Sequence, residues 1–277
     1  MSTSRMISAM FTAIFALMLL QGNGEVSACV GARPMALGGA FVAMAEGSSA
    51  VYWNPAGLAW LKSGDAGLTA TLNNKCTYNY DLFVSLCSPL AQGWGVGLGY
   101  VLSTVAAGAG VLREDWAVAS AARAIDDQLA IGGSVRMEAV SFEPESPSTR
   151  LRFDIGVMYR LTPKLSAGLL IQDLSAGSSA ANIRPGLAIR PDDRSLLTID
   201  VYDMVGAWGR PSGRAGFERL VGDNLALRLG CYGFSPGFSW GALTLGAGLT
   251  AGPFRADYAF LGGALGGTHQ LGVEVAF

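Results

Sequence analysis

From residue 65 to residue 277 the chain alternates between apolar and polar or small positions. In LRFDIGVMYRL (151–161), Leu151, Phe153, Ile155, Val157, Tyr159 and Leu161 share one face. Arg152, Asp154, Gly156, Met158 and Arg160 share the other. A period of two over this length excludes a helix, in which residues three and four apart meet. The same alternation predicts strand cores over 65–73, 77–87, 94–103, 113–123, 128–140, 150–161, 164–173, 182–190, 195–203, 213–221, 224–232, 240–250, 253–261 and 268–277. Each is close to the ~9–11 residues that a tilted membrane strand needs. Fourteen is an even number, as a closed antiparallel barrel with both ends on one side requires. The last stretch, HQLGVEVAF (269–277), places Leu271, Val273, Val275 and Phe277 on one face. Free termini usually fray. A strand held to its final residue predicts a partner on both sides, and so a sheet closed against its first strand.

The connections alternate in kind. SPLAQG, AIDDQ, LTPK, RPDDRS, VGDN and AGP are tight and carry turn residues. AAGAG, EPESPST, SAGSSAA, VGAWGRPSG, GFSPG and GGALGGT are longer or richer in Gly and Ser. Short turns at one end and longer loops at the other are the pattern of a membrane barrel.

One parity set carries Leu82, Val84, Leu98, Ile131, Val135, Phe153, Ile155, Leu169, Ile171, Leu187, Ile189, Ile199, Leu227, Leu245, Phe254 and Phe260. The opposite set carries Asp81, Arg136, Glu138, Arg152, Asp154, Arg160, Arg184, Asp200, Arg228, Arg255, Asp257 and Glu274 among many Gly and Ala. Charges on the apolar parity are confined to strand ends, such as Asp173 and Arg219. A lipid-facing charge at mid-depth costs ~2–4 kcal/mol, so a barrel keeps charge off one face. A soluble sandwich shows the same parity with the roles of the faces exchanged. Composition and the N-terminus favour the barrel. Only 14% of residues are charged and 51% are hydrophobic. The net charge of −2 argues against a nucleic-acid partner. Aromatics at strand ends, Tyr78, Trp94, Trp116, Tyr159 and Trp240, are expected to form an interfacial girdle.

Arg5 precedes the apolar run 6–20, and Val26-Ser27-Ala28 follows a polar stretch. This reads as a secretory signal peptide over 1–28. A membrane-anchor helix is the alternative, but the run is shorter than the ~20 residues a span needs. Val26-Ser27-Ala28-Cys29 also has the form of a lipoprotein cleavage box, though five polar residues separate it from the apolar run. The remaining units are an N-terminal segment over 29–62 and the barrel over 63–277. The 29–62 segment is glycine-rich and nearly uncharged, and is expected to fold into the lumen as a plug. Ser48 or Ser49 is placed to cap a short helix through Tyr52-Trp53 that ends before Pro55.

Within it, Gly31-Ala32-Arg33, Gly38-Gly39-Ala40-Phe41-Val42-Ala43 and Asn54-Pro55-Ala56-Gly57-Leu58 resemble the opening of the PorV/PorQ-like family of FadL-like outer-membrane barrels. Glu46-Gly47 stands where that family has an acidic pair, which removes a second carboxylate. The motif spans about thirty residues, and the strand count extends the resemblance loosely over the mature chain. The resemblance implies a bacterial outer-membrane protein in which Asn54, Pro55, Ala56 and Gly57, with Gly38, Gly39 and Phe41, form a plug or gate. It implies two functions: passage or binding of hydrophobic small molecules, or a scaffold or shuttle for proteins secreted to the cell surface. The chain is short for a FadL-like transporter, so large ligand-binding outer loops are expected to be missing. The ending Gln270-x-Gly272-x-x-Val275-x-Phe277 resembles the signal read by the barrel-assembly machinery. The other expected partner is outer-membrane lipid.

No catalytic residues, metal site or cofactor are expected. Gly237-Phe-Ser239-Trp-Gly241 matches a nucleophile pattern, with Asp257 and His269 following in hydrolase order. That motif needs a strand–turn–helix context, and here it opens a strand. His269 is the only histidine, so a site with several His ligands is excluded. Gly95-Val-Gly-Leu-Gly99 and Gly246-Ala-Gly-Leu249 lack a following helix and read as small residues facing a crowded lumen. Cys29, Cys76, Cys87 and Cys231 have no metal-ligand spacing, and no Cys87–Cys231 disulfide is expected. The inward charges are expected to fill and rigidify the barrel. A polar pathway is the alternative, but their mixed signs argue against an ion-selective pore.

Overall fold

A computed structural model describes residues 30–73, 80–107, 110–142, 148–174, 181–205, 211–234, 241–263 and 266–277. The signal-peptide reading, Cys29, Cys76, Tyr78, Ser239 and Trp240 lie outside the described residues. The strands are β1 (Asp65–Asn73), β2 (Tyr80–Pro89), β3 (Trp94–Ala107), β4 (Gly110–Ala124), β5 (Leu129–Phe142), β6 (Ser148–Thr162) and β7 (Leu165–Gln172). They continue as β8 (Asn182–Asp192), β9 (Ser195–Tyr202), β10 (Ser212–Val221), β11 (Leu225–Phe234), β12 (Ala242–Ala251), β13 (Phe254–Gly263) and β14 (Gly266–Ala276). Each is antiparallel to its sequence neighbours, and β14 returns to pair with β1 in one closed barrel. Phe277 and Gly64 exchange both backbone hydrogen bonds, at 2.9 and 3.0 Å, so the final residue is held. The closed fourteen-stranded form is the architecture of bacterial outer-membrane proteins, because a closed barrel leaves no backbone group unpaired in lipid.

The strands differ in length. β3 to β6 have 14 or 15 residues, beyond the cores read from the sequence, while β7 and β9 have 8. Tight turns fix one end of each hairpin, so the extra length lies at the long-loop end.

The faces follow the alternation. Val84, Leu98, Ile131, Val135, Phe153, Ile155, Leu187, Ile189, Ile199, Leu227, Leu245 and Phe254 are exposed on the outer wall. Trp94 and Tyr159 are exposed near strand ends, as a girdle needs. Trp116 is not part of it. It is 7% exposed, points inward and stacks on Tyr52 with centroids 6.1 Å apart. Asp173 also departs from its parity. Its φ of 63° turns the chain into the left-handed region just after β7, and the side chain swings from the lipid side into the lumen. Asp81 belongs to a strand, but its side chain lies outside the described residues.

Residues 30–61 pack against the inward faces of the wall. They form α1 (Ala32–Ala36), α2 (Ala50–Trp53) and a 3-10 turn (Pro55–Trp60). α1 lies on β11 to β14, and the 3-10 turn lies on β2 to β6. Glycines of the wall allow this approach. A Cβ on Gly132 would come 2.6 Å from the Ala56 nitrogen, and one on Gly216 2.6 Å from the Leu37 carbonyl oxygen. The capping expectation does not hold. Ser49 sits before α2 but makes no capping bond; its Oγ donates to the Glu46 carbonyl, 3.1 Å away. Ser48 Oγ instead accepts from Ser85 Oγ on the wall at 2.8 Å. A four-residue helix packed inside a barrel gains more from wall contacts than from a cap.

The outer-face assignment makes a measurable claim. Val135→Lys, near the middle of β5, should lower the unfolding free energy in lipid vesicles by about 2–4 kcal/mol. A change within about 0.5 kcal/mol, the range of an ordinary surface substitution, would show that Val135 does not face hydrocarbon.

Candidate functional site

The site is built around Asn54. It is extended, as the residue before a proline must be, and Pro55 opens the 3-10 turn where a missing N–H costs nothing. Asn54 Oδ1 accepts from the Ala56 amide at 3.1 Å and caps that turn. Its Nδ2 donates to the Val42 carbonyl at 2.9 Å and to the Val157 carbonyl on β6 at 3.2 Å. One buried side chain therefore joins the turn, the earlier part of the segment and the barrel wall. Gly57 lies against the Ala45 backbone, where a Cβ would overlap the carbonyl oxygen.

The first half of the segment is fastened separately. Gly38 and Gly39 take φ of 67° and 71° after α1 and reverse the chain. Thr244 Oγ1 on β12 accepts from the Gly38 amide and donates to the Ala36 carbonyl, both at 3.1 Å. Asp200 Oδ2 on β9 accepts from the amides of Phe41 at 2.7 Å and Val42 at 3.0 Å. The Phe41 ring meets Trp53 edge-on at 6.1 Å, and Trp53 Nε1 donates to the Val30 carbonyl at 2.9 Å. Nearly all of this is neutral packing.

Besides Asp200, the charged fastening is Arg33 on α1. Its Nε and Nη2 donate to the two Glu218 oxygens on β10, both at 3.0 Å, and Nη1 donates to Glu46. Glu218 also takes Arg228 Nε at 2.6 Å; Arg228 Nη1 donates to Asp257 at 2.6 Å. Arg255 Nε donates to Asp257 at 2.8 Å and reaches Glu274. A continuous ionic chain thus links the segment to β10, β11, β13 and β14 near the tight-turn end. The alternation in GRAGFERL (213–220) already puts Arg214, Gly216 and Glu218 on one face, so Glu218 was there to be found beside the conspicuous aromatic and Arg219.

The other inward charges divide by position. Arg136, Asp154 and Asp173 meet on β5, β6 and the end of β7, with the Asp173 amide donating to Asp154 Oδ1 at 2.9 Å. Arg152 Nε donates to Glu138 at 2.9 Å. Arg136 lies over the Trp116 ring at 4.9 Å. Arg184 and Asp200 belong to neither cluster. Arg160 stands apart at the turn end, exposed, over Trp60 at 3.7 Å. Gly272 faces α1, with Ala32 beside it, while Phe277 is exposed at the rim. Asp257 faces the lumen, whereas His269 bonds Tyr258 Oη at 2.7 Å on the opposite parity. The residues in hydrolase order are not brought together. Cys87 and Cys231 are free thiols. Among the described residues no group of three His, Cys, Asp or Glu side chains is placed to hold a metal.

Burial pulls the Arg33 guanidinium down, but Glu218 and Glu46 outweigh it and hold its pKa well above the usual value. Burial likewise opposes ionisation of Glu46, yet the Arg33 charge and hydrogen bond hold its carboxyl below the usual 4.5. The Glu46 side chain is 51% exposed, so water screens the pair.

Two outcomes follow from these fastenings. Asn54→Ala leaves buried backbone groups unpaired at about 1–3 kcal/mol each, so amide exchange over residues 41–58 should speed up at least ~10-fold in detergent. Unchanged protection would remove Asn54 as a fastener. The depressed Glu46 pKa means its contribution is present above pH ~4.5 and lost as pH falls through the folded value. Protease cleavage of the segment should rise on acidification, and Glu46→Gln should lose that component while raising the neutral-pH rate. An identical pH profile in both proteins would show that the pair does not hold the segment.

No protein-family model and no curated protein sequence matches the chain. Among solved structures it is similar to the Pseudomonas putida toluene transporter TodX, with a TM-score of 0.67 and 14% identity over 92% of this chain and 98% of that one. The Ralstonia pickettii toluene transporter TbuX gives 0.63 and 13% over 94% and 98%. A Pseudomonas aeruginosa FadL homologue gives 0.64 and 12% over 92% and 100%. At these identities the likeness is one of fold: the chain has the barrel architecture of the FadL-type transporters.

Proposed function

We propose that this protein binds or passes hydrophobic small molecules through an outer-membrane barrel, with residues 30–61 as the barrier that shifts. The observation that carries this reading is how the barrier is held. Its apolar side chains pack without bonds to the wall, and polar points at seven places fasten it: Asn54 to Val157, Asp200 to Phe41 and Val42, Thr244 around Gly38, Ser85 to Ser48, Asp65 to the Ser48 amide, Ser120 to the Val51 carbonyl, and Arg33 to Glu218. A segment fastened at separate points, with no strand pairing to the wall, is released by changes at those points. Two neighbours in fold are described as toluene transporters, which supports a hydrophobic cargo. In this reading Asn54, Pro55, Ala56 and Gly57 are the gate, and the inward ion pairs keep the wall rigid while the gate moves. Outer-membrane lipid surrounds the wall, and Gly272, Val275 and Phe277 serve the barrel-assembly machinery.

A scaffold for secreted proteins is the second reading. It rests on the PorV/PorQ-like motif of the segment and on the close filling of the described lumen. The two readings differ in what is retained and what crosses. Native mass spectrometry of the gently extracted protein should show a bound lipid-like or aromatic mass, lost in Asn54→Ala. Proteoliposomes should take up toluene faster with Asn54→Ala than with the unaltered protein. No bound mass, no uptake in either protein and a stoichiometric exported partner would overturn the transport reading and favour the scaffold.

A further inference from the structure

Glu114 on β4 and Glu138 on β5 face the lumen near the long-loop end, and their carboxyls hydrogen-bond to each other. In the register Trp116 lies opposite Glu138, and Glu114 opposite Val140, so the two acids are diagonal neighbours. A hydrogen bond between two carboxyls needs one retained proton, because two carboxylates so close repel. The pair therefore titrates as a unit. Its surroundings favour keeping that proton. Glu138 takes Arg152 Nε at 2.9 Å, and Arg136 is shared by Asp154 and Asp173. Arg150, opposite Glu138 on β6, is exposed. Arg136 acts on both acids through space, yet among the described residues Glu114 makes no ion pair. Four carboxyls thus face three arginines, and one proton balances the layer. From β3 the residue opposite Glu114 is the uncharged Ser103. Arg113 and Asp115, the chain neighbours of Glu114, bond each other on the outer face. Two charged residues there place this stretch of β4 beyond the hydrocarbon, and Glu114 is half-buried within reach of external water.

The pair is wired to the segment through one ring. Trp116 Nε1 donates to Glu114 Oε1 at 2.5 Å. The same ring stacks on Tyr52 of α2, with centroids 6.1 Å apart and planes 10° apart, and Arg136 lies 4.9 Å from it. An anionic Glu114 would accept the indole N–H more strongly, but burial and Glu138 oppose that charge by more.

We propose that Glu114 and Glu138 form a proton-controlled latch on α2, which holds Trp116 against Tyr52 while one proton is shared and releases the ring when it is lost. On deprotonation Glu114, lacking an arginine of its own, is the carboxylate that swings to water and leaves the indole without its acceptor. The hold is present at lower pH and lost as pH rises, opposite in sign to the Glu46 contribution at the tight-turn end. The inference concerns how the segment is held and does not depend on whether a cargo passes.

The test is amide hydrogen exchange of the full-length barrel in detergent, expressed as protection so that the intrinsic pH dependence cancels. The amides of Tyr52, Trp53 and Asn54 donate to the Ser49 and Ala50 carbonyls and report on α2. Their protection should fall roughly 10-fold between about pH 5.5 and about pH 8.5, the equivalent of one pKa unit. Glu114→Gln keeps an oxygen for the indole without the charge, and should hold the low-pH protection throughout. Trp116→Phe keeps a ring for Tyr52 without the N–H, so it should also lack the pH step, and it serves if the first variant loses the heat-modifiable gel shift of a folded barrel. Three results overturn the proposal: no pH step in the unaltered protein, the same step in Glu114→Gln, or a step that survives in Trp116→Phe.

Discussion

Nine residue pairs, from Asp65 with Ala276 to Asn73 with Thr268, join β1 to β14. Every other feature depends on that seam. In hydrocarbon an unpaired N–H or C=O has no water to turn to, so a sheet that crosses a membrane must have no edges. Closure satisfies the backbone of all fourteen strands at once. It also assigns the two faces: with one side committed to lipid, each strand must carry its charges on the other. The continuation of the seam through Gly64 and Phe277 explains why the chain is ordered to its last residue.

Closure also creates an interior that must be filled. Small residues on the inward face let another piece of backbone come close, and residues 30–61 use that room. Gly132, Gly168 and Gly216 each leave space where a Cβ would overlap the segment's backbone. Contact at this distance is backbone against backbone, so the segment needs little polar anchoring. Where anchors occur they are shared: Asn54 serves three groups, and one Asp200 oxygen serves two amides.

The inward charges are arranged by proximity to the segment. At the tight-turn end, Arg33 extends an ionic chain of wall residues into the lumen. On β5 to β7, arginines and carboxylates pair among themselves, with Asp173 brought in by a left-handed turn. Around Tyr202 two arginines, Arg184 and Arg214, lie against one ring. Buried ion pairs add little net stability, because desolvation opposes them, but losing one partner is costly. Their value here is specificity: each fixes which wall position faces which part of the segment.

Strand existence, faces, tight turns and closure were legible in the sequence, because a period of two and a lipid-facing wall leave a pattern in every strand. Even the held Phe277 was legible, since the alternation runs to the last residue. The site was legible only in part. Asn54, Pro55 and the double glycine stood out through the resemblance of their motif, and Glu218 sat on the inward parity. Alternation gives a side but no depth, and no partner across the lumen. Only the tertiary structure decided that Arg33 meets Glu218, 185 positions away, that Trp116 turns inward to stack on Tyr52, and that Arg184 and Arg214 share one ring. Those contacts depend on the stagger of the closed barrel and on how the segment is threaded through it. Both are properties of the whole sheet, and no local stretch of sequence encodes them.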